Sequence, residues 1–114
     1  MEQICEFYSR LYDLPCLVLR LFNVYGPGQK SDFLVPTLVD GFRNGTTVEL
    51  HSPRSVRDFV HVNDVCSLIE LCFNYEPKNR FDLFNVGSGK GCSVMDVVNT
   101  IRNVCGKDTE LKYD

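Results

Sequence analysis

Arg57 is the side chain in this sequence best suited to hold an anion. It follows Val56, precedes Asp58 and an apolar run, and has few other cations nearby. A guanidinium presents a planar fork that matches a phosphate bidentately; its competing use is an ion pair with Asp58 or another carboxylate. Asn23 is the second candidate, because it ends the apolar run Leu17 to Phe22 just before Gly26-Pro27-Gly28. Ligands of open α/β sheets lie beyond the carboxyl ends of the strands, although asparagine there also bonds loop amides. Asp58, His61 and Asp64 stand at i, i+3 and i+6, which would line one helix face as an acid/base row. Phe59, Val60 and Val62 instead favour an extended stretch, in which Asp64 caps a helix and Asp58 or His61 bonds local backbone. Gly87-Ser88-Gly89-Lys90-Gly91 follows a predicted strand and precedes a helix, with Asp114 at about the distance of a ribose-binding acid. A dinucleotide loop needs G-x-G-x-x-G, whereas this spacing is G-x-G-x-G and then Cys92, so the stretch reads as a glycine-rich turn.

These side chains need a scaffold, and hydrophobic periodicity supplies one. Glu2 to Tyr12 carries Ile4, Phe7, Tyr8 and Leu11 at helical spacing and predicts an amphipathic helix. It has no Ser, Thr, Asp or Asn ahead of it as a cap, which leads us to expect that upstream residues belong to it. Leu17 to Phe22, broken once by Arg20, predicts a strand covered on both faces, as in parallel sheets flanked by helices. Asp32 is placed to cap a helix from Phe33 to Arg43 that stops at Asn44-Gly45. Val48 to Leu50 predicts a short strand, and the polar loop His51 to Ser55 leads into an extended Val56 to Val60. Asn63 or Asp64 caps a helix with Val65, Leu68, Ile69, Cys72 and Phe73 on one face. Phe81 to Val86 is a strand, Ser93 to Cys105 a helix with a capping box at Ser93 and Asp96, and Glu110 to Tyr113 a last short strand.

Composition narrows the function. A chain of 114 residues, 44% hydrophobic, suits one domain. A formal charge of −3 without clustered Lys and Arg argues against nucleic acid as a partner. No stretch reads as a signal peptide or a membrane span, so no membrane role is expected and a cytoplasmic location is the default. The cysteines, which number 6, form no C-x-x-C pair and read as buried free thiols. With only His51 and His61 to join them, no metal site is expected.

Three ordered stretches resemble one family. Arg20-Leu21-Phe22-Asn23-Val24-Tyr25-Gly26-Pro27-Gly28-Gln29, Arg57-Asp58-Phe59-Val60-His61-Val62-Asn63-Asp64-Val65 and Phe84-Asn85-Val86-Gly87-Ser88-Gly89 are similar to segments of the extended short-chain dehydrogenases. The branch they resemble is the NAD-dependent nucleotide-sugar epimerases and dehydratases, typified by UDP-glucose 4-epimerase. The resemblance spans nearly the whole chain but only the back part of such an enzyme. It implies an α/β fold: the C-terminal part of a Rossmann-like doubly wound parallel sheet, with elements of a small α/β substrate-binding domain. Residues 1–114 would be a carboxyl-side segment lacking the Gly-rich loop. Met1 stands at or near the lysine of the family's Tyr-x-x-x-Lys pair, and no such pair occurs in the sequence.

For the site, the resemblance implies NAD or NADP beside Leu21, Asn23 and Val24, and a nucleotide-diphosphate sugar. Asn23 and Arg57 would meet its diphosphate, with Phe33, Leu34, Val48 and Leu50 around its base; for these last four, core packing is the alternative. His51 and Pro53 replace glycines of the family pattern beside that pocket. The whole enzyme would be a homodimer that moves a hydride from a sugar carbon to the nicotinamide while a tyrosine takes the hydroxyl proton. A tyrosine has a reference pKa of about 10 and needs a lysine and the cofactor's charge to act near neutrality. This chain, without catalytic residues of its own, is expected to be inactive alone. A noncatalytic module for phosphorylated ligands, or a remnant without function, are the other readings.

Overall fold

The apolar run after Pro15 makes two strands in two different sheets. In the computed structural model, which describes residues 1–113, it forms β1 (Cys16–Leu21) and then β2 (Asn23–Tyr25), with Phe22 as the break between them. Helix α1 (Glu2–Leu11) precedes them; α2 (Leu34–Asn44), β3 (Val48–Leu50), β4 (Val56–His61), α3 (Val62–Cys72), β5 (Phe81–Val86), β6 (Gly91–Ser93), α4 (Val94–Cys105) and β7 (Leu111–Tyr113) follow. Asp114, weighed above as a ribose-binding acid, lies outside the described residues.

Parallel pairing dominates, as expected for an α/β fold. β1 pairs with β5 from Cys16↔Phe81 to Leu21↔Val86, β2 with β4 from Asn23↔Phe59 to Tyr25↔His61, and β3 with β7 from Val48↔Leu111 to Leu50↔Tyr113. The exception is β6, which runs antiparallel to β4 with Arg57 opposite Cys92. The molecule is drawn out, with extents of 55 × 27 × 23 Å and a radius of gyration of 18.4 Å. A compact domain of this length would have a radius near ~13 Å.

The main core lies where α2 and α4 cover the β3–β7 pair. Leu38, Phe42, Val48, Leu50, Val94 and Val98 are each 3% exposed or less. Burial of side chains of this size contributes on the order of 1.5 to 3 kcal/mol apiece. The ends of the two helices follow the sequence closely. Ser93 accepts from the Asp96 amide while Asp96 accepts from the Ser93 amide, and Gly45 and Gly106 close α2 and α4 in the left-handed conformation.

Four local expectations are corrected. Asp32 does not cap α2: a turn from Lys30 puts Phe33 at the N-cap, and the Thr37 hydroxyl bonds back to the Ser31 and Phe33 carbonyls. α3 is capped by His61, whose Nδ1 accepts from the Asn63 amide at 3.2 Å, rather than by Asn63 or Asp64. Of its apolar positions Val65 is buried, while Ile69 and Phe73 are exposed. The apolar stripe of α1 also faces outward, with Ile4, Phe7, Tyr8 and Leu11 between 50% and 60% exposed. The helix meets the β1–β5 pair through Ser9 instead, whose buried hydroxyl donates to the carbonyls of Leu14 and Arg80. Finally, β1 is not covered on both faces: Leu21 and Phe22 are 47% exposed, and Arg20 reaches outward to an ion pair with Glu2.

Candidate functional site

A cleft of about 630 Å³ opens between β2, the start of α2, β3 and β4. That is within the range of small-molecule sites, roughly 300 to 1,000 Å³. Asn23, Val24, Phe33, Leu34, Val48, Leu50 and Arg57 all line it. Leu21 does not; it stands at the end of β1, paired with Val86 in the neighbouring sheet. Val48 and Leu50 border the cleft while their side chains belong to the α2/α4 core, so core packing describes them. Phe33 is 52% exposed and Leu34 half-buried.

Arg57 enters the cleft from β4, exposed and, among the described residues, without a carboxylate partner. The ion pair with Asp58 that sequence reasoning allowed is not formed, because Asp58 is bonded elsewhere. Its carboxylate accepts from the Ser88 and Gly89 amides and the Ser88 hydroxyl, and these bonds, Ser88's first, hold it below the usual carboxylate range. Asn23 donates from its side-chain amide to the Asp58 carbonyl at 3.0 Å, as asparagine near a strand end often does.

Asp58, His61 and Asp64 are not assembled into an acid/base group. His61 caps α3 and stacks edge-on against Tyr25 at 5.2 Å, and Asp64 lies in the first turn of α3, where its charge meets the positive helix end. The Gly87–Gly91 stretch is a turn from β5 into β6 rather than the opening of a helix. Its Ser88 and Gly89 amides donate to Asp58, so it forms no open phosphate cradle.

Sequence reasoning missed Ser55 and Phe59, which line the cleft with Arg57. The signal was present: residues 55, 57 and 59 alternate along an extended segment and so share a face. Gln29 was also missed. Its amide donates to the Val24 carbonyl at 3.0 Å, while Gln29 Oε1 and Ser55 Oγ are buried without a hydrogen-bond partner on the wall of the cleft. Buried polar atoms without a partner are uncommon in folded proteins. Among the described residues no group of three or more His, Cys, Asp or Glu converges as metal ligands. The thiols are unpaired, half-buried except for the exposed Cys66, and burial pushes Cys16 and Cys92 up. Among the same residues no helix is long and apolar enough to cross a membrane.

Residues 1–87 match the model of the NAD dependent epimerase/dehydratase family. The chain is 36% identical over 115 residues to GDP-6-deoxy-D-talose 4-dehydrogenase of Aggregatibacter actinomycetemcomitans, covering 100% of this chain and 38% of that protein. It is 29% identical over 120 residues to UDP-glucose 4-epimerase of Mycoplasma pneumoniae, covering 90% and 36%. The crystal structure of Thermotoga maritima UDP-glucose 4-epimerase with UDP-glucose superposes with a TM-score of 0.90 at 31% identity, covering 99% of this chain and 37% of that one. The Thermus thermophilus UDP-glucose 4-epimerase complex with NAD gives 0.85 at 29% identity, covering 97% and 37%. The chain thus spans well under half the length of these relatives. With the family model matched over most of the sequence and these relatives aligned along nearly all of it, the chain belongs to the NAD-dependent epimerase/dehydratase family.

Proposed function

We propose that residues 1–114 are the carboxyl-side segment of a nucleotide-sugar epimerase or dehydratase and carry its nucleotide-sugar cleft. One observation carries this reading: Arg57, a guanidinium without a carboxylate partner among the described residues, stands in the same cleft as Asn23 and the apolar residues around Phe33 and Leu34. The diphosphate lies against Arg57 and Asn23, and the base against Phe33 and Leu34. The shared chemistry of the similar proteins, GDP- and UDP-linked sugars by their names, supports this ligand class.

The residues present suit one edge of a nicotinamide site. The β1 end at Leu21 and Phe22 is open beside Asn23 and Val24, so an apolar ring can lie there, next to the cleft. When bound, NAD or NADP supplies a hydride acceptor for a sugar carbon. Within this chain, Leu21 and Val24 limit water at that edge, and Arg57 and Asn23 fix the sugar through its diphosphate. The 87–91 turn takes no part in holding the cofactor, since its Ser88 and Gly89 amides are engaged by Asp58 and its Lys90 amide by the Ser88 hydroxyl. In the whole enzyme, cytoplasmic and homodimeric in this reading, the exposed Ile4, Phe7, Tyr8 and Leu11 stripe of α1 is the surface that suits burial against a second copy.

A noncatalytic module that holds phosphorylated ligands is the second reading, favoured by the lack of Tyr-x-x-x-Lys in these 114 residues. Calorimetric titration with UDP-glucose, followed by a turnover assay with NAD, tests both. Saturable binding is expected; no binding of any nucleotide sugar would overturn the cleft assignment, and turnover would overturn the segment assignment.

A further inference from the structure

Arg57 and Asn23 reach the cleft from different strands, and Asp58 lies between their attachments. It follows Arg57 in β4, so strand alternation sends its carboxylate to the face opposite the guanidinium. There one carboxylate oxygen accepts from the Ser88 amide at 2.7 Å and the Ser88 hydroxyl at 2.8 Å, and the other from the Gly89 amide at 2.8 Å. The Asp58 carbonyl accepts from Asn23 Nδ2 at 3.0 Å. Gly87 completes the contact. A Cβ on it would stand 2.6 Å from Phe22 Cδ2 and 2.7 Å from Asp58 Oδ2, so only glycine lets the turn lie this close. Phe22 is the break between β1 and β2 and the neighbour of Asn23. A single residue therefore joins the β1–β2 break, β4 and the turn leaving β5.

We propose that Asp58 is a positioning residue for anion binding: by holding the 87–89 turn against Phe22 it fixes the spacing of Asn23 and Arg57 that a ligand's diphosphate requires. This rests on the nucleotide-sugar reading of the cleft. Asp58 lines no part of the cleft and acts only through its neighbours. A bidentate guanidinium contact tolerates displacements of only about 0.5 Å. Within β4, Val56 to Asp58 pair only with the three-residue β6, while β2 pairs further along with Phe59 to His61, so the anchor one residue along from Arg57 decides where the fork points.

The test is a titration with UDP-glucose of the unaltered chain, Asp58→Asn, Gly87→Ala, Arg57→Ala and the Arg57→Ala/Asp58→Asn pair. Each is measured at a temperature where it is fully folded. Asn keeps the size of Asp but presents an NH2 to an N–H donor, whereas Gly87→Ala removes no bond and acts by crowding. Both single variants should weaken binding by roughly tenfold, as expected when hydrogen bonds to a charged group are disturbed. The pair should bind only a little worse than Arg57→Ala alone, well short of the sum of the two losses, because Asp58 then has only the Asn23 contact left to position and residues that act through shared contacts are not additive. Equal affinity of the folded variants, or full additivity in the pair, would overturn the inference and leave Asp58 a brace for stability. If the unaltered chain ignores UDP-glucose, the cleft reading falls and takes the inference with it; if it binds and the variants bind equally, only the inference falls.

Discussion

Replacing Arg57 with alanine should separate binding from folding. Asp58, the carboxylate beside Arg57 in sequence, is already bonded to Ser88 and Gly89, and among the described residues no other acid pairs with Arg57. Removing the guanidinium therefore orphans no buried charge. An exposed substitution of this kind changes stability by no more than about 0.5 kcal/mol, which moves the thermal midpoint by less than about 4 °C. A diphosphate, by contrast, loses charge-assisted hydrogen bonds. Their loss costs roughly 1.5 to 3 kcal/mol, and UDP-glucose affinity falls by about tenfold to over a hundredfold. Arg57→Lys should recover only part of this, because an ammonium keeps the charge without the planar fork. NMR titration of the labelled protein gives the affinities and a thermal scan gives the midpoints. Unchanged affinity together with a lowered midpoint would refute the reasoning and make Arg57 a structural residue.

Other expectations follow from the same geometry. The carboxyls of Asp58, Asp82 and Asp96 are held low by bonds from Ser88, Tyr75 and Ser93 respectively. Their contribution to stability is complete above the ordinary value of 3.8, fades below it and is lost as pH falls through their lowered folded-state values; the thermal midpoint should be level near neutrality and fall in acid, and a midpoint that rises in acid would contradict this. Gly41→Ala places a Cβ 2.2 Å from Val48 Cγ2 in the main core and should destabilise by about 1 to 3 kcal/mol, read by denaturant unfolding; no change would mean that β3 moves freely against α2. With NAD and UDP-glucose the purified chain should show no epimerisation, and robust turnover lost on changing one of its own residues would show the architecture to be misread.

The sequence displayed some of this well and some not at all. Ser93 with Asp96, and Gly45 and Gly106 past the helix ends, are local signals, and local chemistry decides them. The same holds for β5, whose apolar residues need no distant information to be extended. By contrast, nothing in Leu17 to Tyr25 marks Phe22 as the point where the chain leaves one sheet for another, since that depends on pairing with residues more than thirty positions away. β6 was invisible because Gly91 to Ser93 has no strand pattern and is extended only by pairing with β4. Helical periodicity found α1 but could not tell which face meets the sheet, and buried Ser9 took the place given to Ile4 and Phe7. The cleft was legible where motifs named its residues. It was missed at Ser55 and Phe59, where strand alternation through Arg57 would have been enough, and at Gln29, whose approach depends on the turn at Gly26 to Gly28.

The most direct measurement is a crystal structure of the chain with UDP-glucose. The account predicts the diphosphate in the β2–α2–β3–β4 cleft, with phosphate oxygens about 2.7 to 2.9 Å from the Arg57 guanidinium, the base against Phe33 and Leu34, and Asp58 still bonded to Ser88. A ligand seated elsewhere, or in the cleft with its diphosphate turned away from Arg57, would contradict it.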